Sequence, residues 1–168
     1  WNKCISLGEN YNITPYGTEA MHVLRAEKGY IIVGQETDGS VTPIDLDMNW
    51  IVSKKKYDFI GKRALNRSDT VKEDRKQLVG ILTVDPSIVL EEGSHLVEVE
   101  TSLPMPMVGH ITSSYYSPNL GRSIALGLVK SGTSKKGAKL IVPTVNKSIE
   151  VEITNPVFID PENERLFA

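Results

Sequence analysis

The chain has 168 residues, of which 40% are hydrophobic and 24% are charged, a composition ordinary for a globular protein. Its 19 basic and 21 acidic residues leave a net charge of −2, so nothing in the charge favours a nucleic-acid or anionic-membrane partner. No apolar run approaches the roughly 20 residues that a helix needs to span a bilayer.

The first residues, Trp-Asn-Lys-Cys-Ile-Ser, lack an initiating methionine and have the pattern of neither a signal nor a transit peptide. We therefore expect the chain to be part of a longer protein. Cys4 is the single cysteine, which excludes an internal disulfide and fits a cytoplasmic location. Apolar and small residues recur at helical spacing and predict a short helix over roughly the first nine residues.

The stretch from residue 16 to residue 50 predicts a helix, a sharp stop and a strand. Thr18 is the expected N-cap, because its hydroxyl can accept from an unpaired amide of the first turn. Gly29 follows the helical pattern at the position where a left-handed backbone is favoured. Residues 30–33, Tyr-Ile-Ile-Val, form an unbroken apolar run, which predicts a strand buried on both faces.

Two more elements are predicted before a strongly polar connection. Alternating apolar and polar residues from Leu46 to Val52 favour a strand, although the four-residue spacing of Leu46 and Trp50 leaves a helical turn as an alternative. Asp58 is the expected N-cap of a short helix from Phe59 to Leu65.

A domain boundary is predicted between residues 66 and 77. Seven of these twelve residues are charged and Val71 alone is apolar, so the segment cannot form a core by itself. The sequence therefore predicts two domains, residues 1–75 and residues 76–168, joined by an exposed polar connection.

Short β-rich runs dominate the chain after this connection. Turn signals such as Asp-Pro, Glu-Gly and Lys-Gly separate the runs at hairpin spacing, with almost no helical pattern between them. Several short strands of this kind favour a small closed antiparallel barrel, because closure removes exposed sheet edges. The predicted strands are Leu78–Val84, His95–Val99, Met107–Ser114, Ser123–Val129, Ala138–Val142 and Ser148–Ile153.

The chain offers few candidates for self-contained chemistry. The three histidines, His22, His95 and His110, lie far apart in sequence, and no Cys/His/Asp group has the spacing of metal ligands. Neither G-x-G-x-x-G nor G-x-x-x-x-G-K-[ST] occurs, so neither familiar kind of nucleotide site is supported. We therefore expect no metal site, and we assign no catalytic residue within this chain.

Several motifs resemble the glycine cleavage T-protein family, the folate-dependent aminomethyltransferases. They are Leu-Arg-Ala-Glu at 24–27, Val-Gly-Gln at 33–35, Thr-Pro at 42–43 and Trp50. The likeness is closer to one branch, the C-terminal region of heterotetrameric sarcosine oxidase α subunits. Residues 15–29, 52–56 and 109–115 carry that closer likeness, and the resemblance covers essentially the whole chain.

The resemblance implies an α+β fold, in which the C-terminal part of a folate-binding domain precedes a small antiparallel β-barrel. It also implies an enzyme that demethylates sarcosine oxidatively and passes the one-carbon unit to tetrahydrofolate, giving 5,10-methylenetetrahydrofolate and glycine. FAD, FMN and NAD would bind elsewhere in such an enzyme. The implied partners are folate, the preceding part of the same α subunit and the other subunits of the oxidase.

Tyr30 and Trp50 are the candidate folate-binding residues. An arbitrary pair of aromatic residues in a sheet is best assigned to the core; the alternative is that both present flat faces to a planar ligand. The resemblance favours the alternative, because both positions match the neighbourhood of the family's folate site. The family's catalytic aspartate belongs to a preceding region, so the resemblance implies that the isolated chain is inactive.

Two other functions stay open. A genuine aminomethyltransferase is disfavoured by Met21, because the family has a pterin-binding arginine at this position and a thioether cannot donate hydrogen bonds. A non-catalytic module that only holds subunits together is the second alternative. Arg25 and Glu27 lie two apart on the predicted helix and do not face each other, so we interpret them as anchors of that helix.

Overall fold

A computed structural model describes residues 1–167. The first part of the chain, residues 1–75, is largely irregular, and a β-barrel begins with the strand at Lys76. The first part contains helices α1 (Asn2–Gly8) and α2 (Thr18–Glu27), with short 3-10 turns at Glu9–Tyr11, Asn49–Ile51 and Ala64–Asn66. The strands are β1 (Lys76–Thr83), β2 (His95–Leu96), β3 (Gly109–Ser117), β4 (Arg122–Lys130), β5 (Lys139–Pro143) and β6 (Ser148–Thr154), with a further 3-10 turn at Gly132–Lys135.

The six strands form one antiparallel sheet whose two edges meet. The strand order is β2-β3-β4-β1-β6-β5. Just beyond β2, the backbone of Val97 exchanges two hydrogen bonds of 2.9 Å with Ile141 of β5. This exchange joins the edge strands and pairs backbone groups that an open sheet would leave exposed. The predicted closed barrel and its six strands are confirmed.

Side chains alternate between the inside and the outside of the barrel. In β6, Ile149, Val151 and Ile153 are buried and the residues between them are exposed, as expected for a strand with one solvated face. Strands β1 and β4 are instead buried almost throughout, because the first part of the chain covers their outer surface. The inner core includes Val79, Ile81, Leu96, Ile111, Ala125, Val129, Leu140 and Val142.

An apolar patch outside β1 and β4 receives the first part of the chain. Leu46 is buried there against Leu78, Leu126 and Leu128. Partly buried side chains complete the contact: Ile31, Val41, Met48 and Phe158. Burial of this patch is favourable in proportion to the apolar area removed from water, so the barrel and the first part stabilise each other.

After β6 the chain returns across the barrel to the end of helix α2. The amides of Phe158 and Ile159 donate to the Glu27 carbonyl at 2.9 and 3.0 Å, and Lys28 Nζ lies 3.1 Å from Asp160 Oδ2. Gly80 makes room for this route, because a Cβ there would collide with the carbonyl oxygen of the residue that follows β6. The returning segment therefore ties the barrel to the helix.

Two strand predictions for the first part are wrong. Residues 30–33 form no buried strand: Val33 is 86% exposed and pairs only in an isolated bridge with Thr37. An apolar run becomes a strand only where a neighbouring strand pairs with it, and no strand of residues 1–167 lies beside this run. Residues 46–52 contain the 3-10 turn Asn49–Ile51, which is the helical alternative to the predicted strand.

The predictions for helices hold only in part. Helix α1 and the left-handed Gly29, with φ of 70°, are confirmed. Thr18 is the first helical residue and not the N-cap, which is Gly17 and lacks a side-chain bond. The amide of Phe59 does bond to Asp58 Oδ1 at 2.9 Å, but only turns and the 3-10 segment Ala64–Asn66 follow.

Within residues 1–167, no helix combines the length and the hydrophobicity that crossing a membrane requires. The sequence also predicts a polar tail over residues 160–168, and in the structure this tail contacts the end of helix α2 through Asp160, which pairs with Lys28. Its last residue, Ala168, lies outside the described part of the chain.

Candidate functional site

A cavity of about 700 Å³ lies over the outer face of β1, between the first part of the chain and the returning C-terminal segment. This volume falls within the range of about 300–1,000 Å³ that is usual for small-molecule sites. Its walls are Lys28, Gly29, Tyr30, Ile31, Leu46, Asp47, Met48, Trp50, Leu78, Asn155, Pro156, Val157, Pro161, Asn163 and Leu166. The lining combines aromatic and aliphatic faces with a few polar groups, as small-molecule sites generally do.

Tyr30 enters the cavity from the end of helix α2. Gly29 adopts a left-handed conformation, which reverses the chain direction immediately after the helix. The Tyr30 amide donates to the Arg25 carbonyl at 2.9 Å, and the Tyr30 carbonyl accepts from the Arg25 guanidinium at 3.2 Å. The backbone of Tyr30 is therefore fixed at both polar groups, while the residue as a whole is 55% exposed.

Trp50 enters the same cavity from the 3-10 turn Asn49–Ile51. A bond of 2.8 Å from the Met48 amide to the Pro43 carbonyl closes the loop that leads into this turn. Trp50 is 78% exposed, so its indole is not part of the core in this structure. The two aromatic residues singled out in the sequence thus line one cavity, and both have surface free for contact with a ligand.

A buried ion pair fixes the loop that precedes Trp50. Asp45 is 3% exposed and receives two bonds from the Arg75 guanidinium, at 2.8 Å on Oδ1 and 2.5 Å on Oδ2. The amide and hydroxyl of Thr42 donate to the same carboxylate at 2.8 Å each. The Asp45 carbonyl also accepts from the Leu78 amide at 2.8 Å. The cavity wall at residues 46–50 is therefore attached to the first strand of the barrel.

The Asp45 carboxylate predicts a specific acid sensitivity. Burial by itself raises the pKa of Asp45, but the bonds from Arg75 and Thr42 outweigh it and hold that pKa below its ordinary value of 3.8. A depressed folded-state pKa stabilises the protein above the unfolded-state pKa, and this stabilisation is lost as the pH falls through the folded-state value. We expect the free energy of unfolding, measured with urea, to decline more steeply below about pH 4 in the parent protein than in Asp45→Asn. Parallel pH profiles would contradict this role.

Arg25 and Glu27 anchor helix α2, as interpreted from the sequence. Arg25 lies 3.0 Å from Glu36 in an ion pair whose side chains are 9% and 0% exposed. Glu27 accepts hydrogen bonds from Ser117 Oγ at 2.5 Å and from Asn119 Nδ2 at 2.9 and 3.1 Å. Glu36 was missed by sequence reasoning; its only signal was its place directly after the Val-Gly-Gln motif.

Met21 lies in a neighbouring cavity of about 310 Å³. Tyr30 and Lys28 line both cavities, so the two cavities adjoin at the end of helix α2. The remaining walls around Met21 are Tyr16, Leu24, Arg25, Glu27 and Ile159. No cluster of three or more His, Cys, Asp or Glu side chains within residues 1–167 is placed to hold a metal ion.

Comparison with known sequences finds two matching domain families. The pattern of the glycine cleavage T-protein C-terminal barrel domain matches residues 76–160, and that of the GCVT N-terminal domain matches residues 1–56. The first of these matches covers half of the chain and coincides with the strands of the barrel.

The similar individual proteins are sarcosine oxidase α subunits and aminomethyltransferases. The sarcosine oxidase α subunit of Corynebacterium sp. strain P-1 is 52% identical over 98% of the chain, and that of Rhizobium meliloti is 39% identical over 96%. An aminomethyltransferase of Thermotoga neapolitana is 32% identical over 94% of the chain. The chain spans 17% of the length of the two oxidase subunits and 41% of that of the aminomethyltransferase.

A solved structure has the same fold. The glycine cleavage system aminomethyltransferase T from Bartonella henselae superposes with a TM-score of 0.79, covering 94% of this chain and 43% of its own. Its sequence identity is 22%, so the likeness concerns the architecture and not the ligand.

Proposed function

Because this chain belongs to the glycine cleavage T-protein family, we propose that its cavity forms one side of a tetrahydrofolate site. The observation that carries the proposal is the convergence of Tyr30 and Trp50 on one cavity of about 700 Å³. Both aromatic residues are largely exposed there, and neither is needed to fill the core.

The cavity lining fits the chemistry of a reduced folate. A pterin is flat and has polar edges, so it matches a site that combines aromatic faces with a few hydrogen-bonding groups. Tyr30 and Trp50 supply the faces, and the side chains of Asn155 and Asn163 in the cavity lining offer polar groups. These residues would bind and orient the ligand and exclude water from one side of it.

We propose that the full-length protein is a sarcosine oxidase with folate-dependent one-carbon transfer. The names of the most similar relatives and their identities of 39–52% support this choice. In such an enzyme a flavin bound elsewhere would accept two electrons from sarcosine, which would become an iminium. Tetrahydrofolate amines take up its CH₂ carbon, and glycine leaves with its own nitrogen, so 5,10-methylenetetrahydrofolate is the second product. Orientation and protection of a reactive carbon are the tasks left to this region.

The proposed enzyme has further cofactors, partners and domains. FAD, FMN and NAD would bind to other regions and subunits, which together with the preceding part of the same subunit are the proposed partners. Residues 1–75 and 76–168 are proposed as two domains, in agreement with the separate family matches at 1–56 and 76–160. The 168-residue chain alone is not expected to oxidise sarcosine.

Trp50→Phe in the full-length protein tests the folate site. Because Trp50 is exposed in the cavity, the protein should fold normally and oxidise sarcosine at the parent rate. Binding of tetrahydrofolate should weaken by about 1 kcal/mol, at the low end of the range for aromatic contacts with a planar ring. An iminium that is not captured is hydrolysed, so formaldehyde per turnover should rise and methylenetetrahydrofolate should fall.

Trp1→Phe is the matched control, because Trp1 is 80% exposed and lies outside this cavity. It should leave both the product ratio and folate affinity unchanged. An unchanged ratio in Trp50→Phe would remove Trp50 from the site. A parent protein that does not bind tetrahydrofolate would favour a subunit-docking module. A parent protein that releases the aminomethyl group from its carrier protein would favour a genuine aminomethyltransferase.

A further inference from the structure

A β-bulge in strand β3 turns Ser113 out of the barrel. Ile111 faces the inner core, and regular alternation along a strand would point Ser113 inward as well. The register between β3 and β4 shifts at this point: Ile111 pairs with Gly127, and Ser113 pairs with Leu126 of the outer patch. The extra residue thus redirects Ser113 to the outer surface, which is a known effect of bulges.

On that surface the Ser113 hydroxyl joins the buried ion pair. It donates to Glu36 Oε1 at 2.5 Å and accepts from the Arg25 guanidinium at 2.6 Å. All three side chains are at least nine-tenths buried. The Tyr115 hydroxyl, two residues further along the strand, accepts a longer bond of 3.2 Å from the same guanidinium. Strand β3 therefore holds both members of the ion pair in place.

The ion pair in turn holds the backbone that carries Tyr30. Arg25 donates to the Tyr30 carbonyl at 3.2 Å, and the Ile32 amide donates to Glu36 Oε2 at 2.7 Å. The segment 30–32 is not part of a strand. The two side-chain bonds therefore take the place of the backbone hydrogen bonds that a neighbouring strand would provide. One serine, 83 positions away from Tyr30 in the sequence, fixes both side chains that hold this segment.

We infer that Ser113 is a positioning residue for Tyr30. Through Arg25 and Glu36 it fixes the backbone of residues 30–32 relative to the barrel, and so sets the place of the Tyr30 ring in the cavity. Its relevance to ligand binding rests on the proposed function of that cavity, whereas its effect on the backbone does not.

Ser113→Ala and Ser117→Ala in the full-length protein separate this role from general stabilisation. Ser117 lies on the same strand, is also fully buried and donates to Glu27 of helix α2 at 2.5 Å. Both variants should lower the melting temperature. Only Ser113→Ala should accelerate amide hydrogen exchange at Ile32, by about tenfold or more, because the variant loses a hydrogen bond to a charged group. Ser113→Cys, close in size but a weaker donor, is the second variant and should give an intermediate rate.

Tetrahydrofolate binding, measured by calorimetry on the same proteins, should weaken in Ser113→Ala and stay at the parent value in Ser117→Ala. Equal acceleration of exchange at Ile32 in both alanine variants would overturn the positioning role, as would unchanged exchange in Ser113→Ala. If the parent protein binds no tetrahydrofolate, the proposed function fails, and the exchange rates at Ile32 still decide whether Ser113 positions this segment.

Discussion

Arg25→Met is expected to lower the free energy of unfolding by about 3–5 kcal/mol, the usual cost of breaking a buried ion pair from one side. Glu36 is fully buried, so the loss of Arg25 leaves a carboxylate without its counter-charge. The Ser113 hydroxyl and the Ile32 amide still bond to that carboxylate, but they cannot neutralise it. Urea unfolding at neutral pH measures the change.

An exposed ion pair provides the matched control. Arg67 and Asp69 are 3.9 Å apart with side chains that are 72% and 67% exposed, so Arg67→Met should cost less than about 1 kcal/mol. Adding Glu36→Gln to Arg25→Met should recover part of the loss, because a neutral amide is cheaper to bury than an unpaired charge. Equal losses for Arg25→Met and Arg67→Met would refute the importance of burial at this pair.

The second large effect is expected in the barrel core. Ile81 of β1 is fully buried and pairs with Ala125 of β4 on one side and Ile153 of β6 on the other. Ile81→Ala should cost about 2–5 kcal/mol, because it removes buried methyl groups and leaves a cavity among strands that cannot collapse freely. Ile81→Val should cost only about 0.5–1.5 kcal/mol, since one methylene is lost.

Leu82 allows a comparison on the same strand, because it points outward and is only partly buried. Leu82→Ala should therefore be less costly than Ile81→Ala, and thermal unfolding of the two variants under one set of conditions measures the difference. If the order were reversed, the assignment of the two faces of β1 would be wrong.

The barrel was predictable because local and global signals agree within it. β6 alternates apolar and charged residues, which indicates one buried face. β4 contains an apolar run, which indicates that both of its faces are buried. Tyr30–Val33 has the same kind of apolar run without a pairing strand. Composition alone cannot distinguish these cases, since pairing depends on what lies beside the segment.

The candidate site was predictable only at its aromatic residues. Resemblance singled out Tyr30 and Trp50, and the structure brings both to one cavity. The contacts that hold them were not accessible from sequence, because Arg25 and Ser113 are 88 positions apart. A bulge that shifts one residue across a strand leaves no composition signal either, so the outward direction of Ser113 required the fold.

The sheet that forms the barrel has its fewest backbone hydrogen bonds at the closure between Val97 and Ile141. Two backbone bonds join its ends, and beside them Lys135 pairs with Glu98 at 2.6 Å, whereas the central strands are joined along their whole lengths. Local opening favours the place with the fewest bonds, and here it would free two strand edges at once. Such edges pair readily with those of a second molecule, so we expect mild heating to promote strand exchange or aggregation at this junction first.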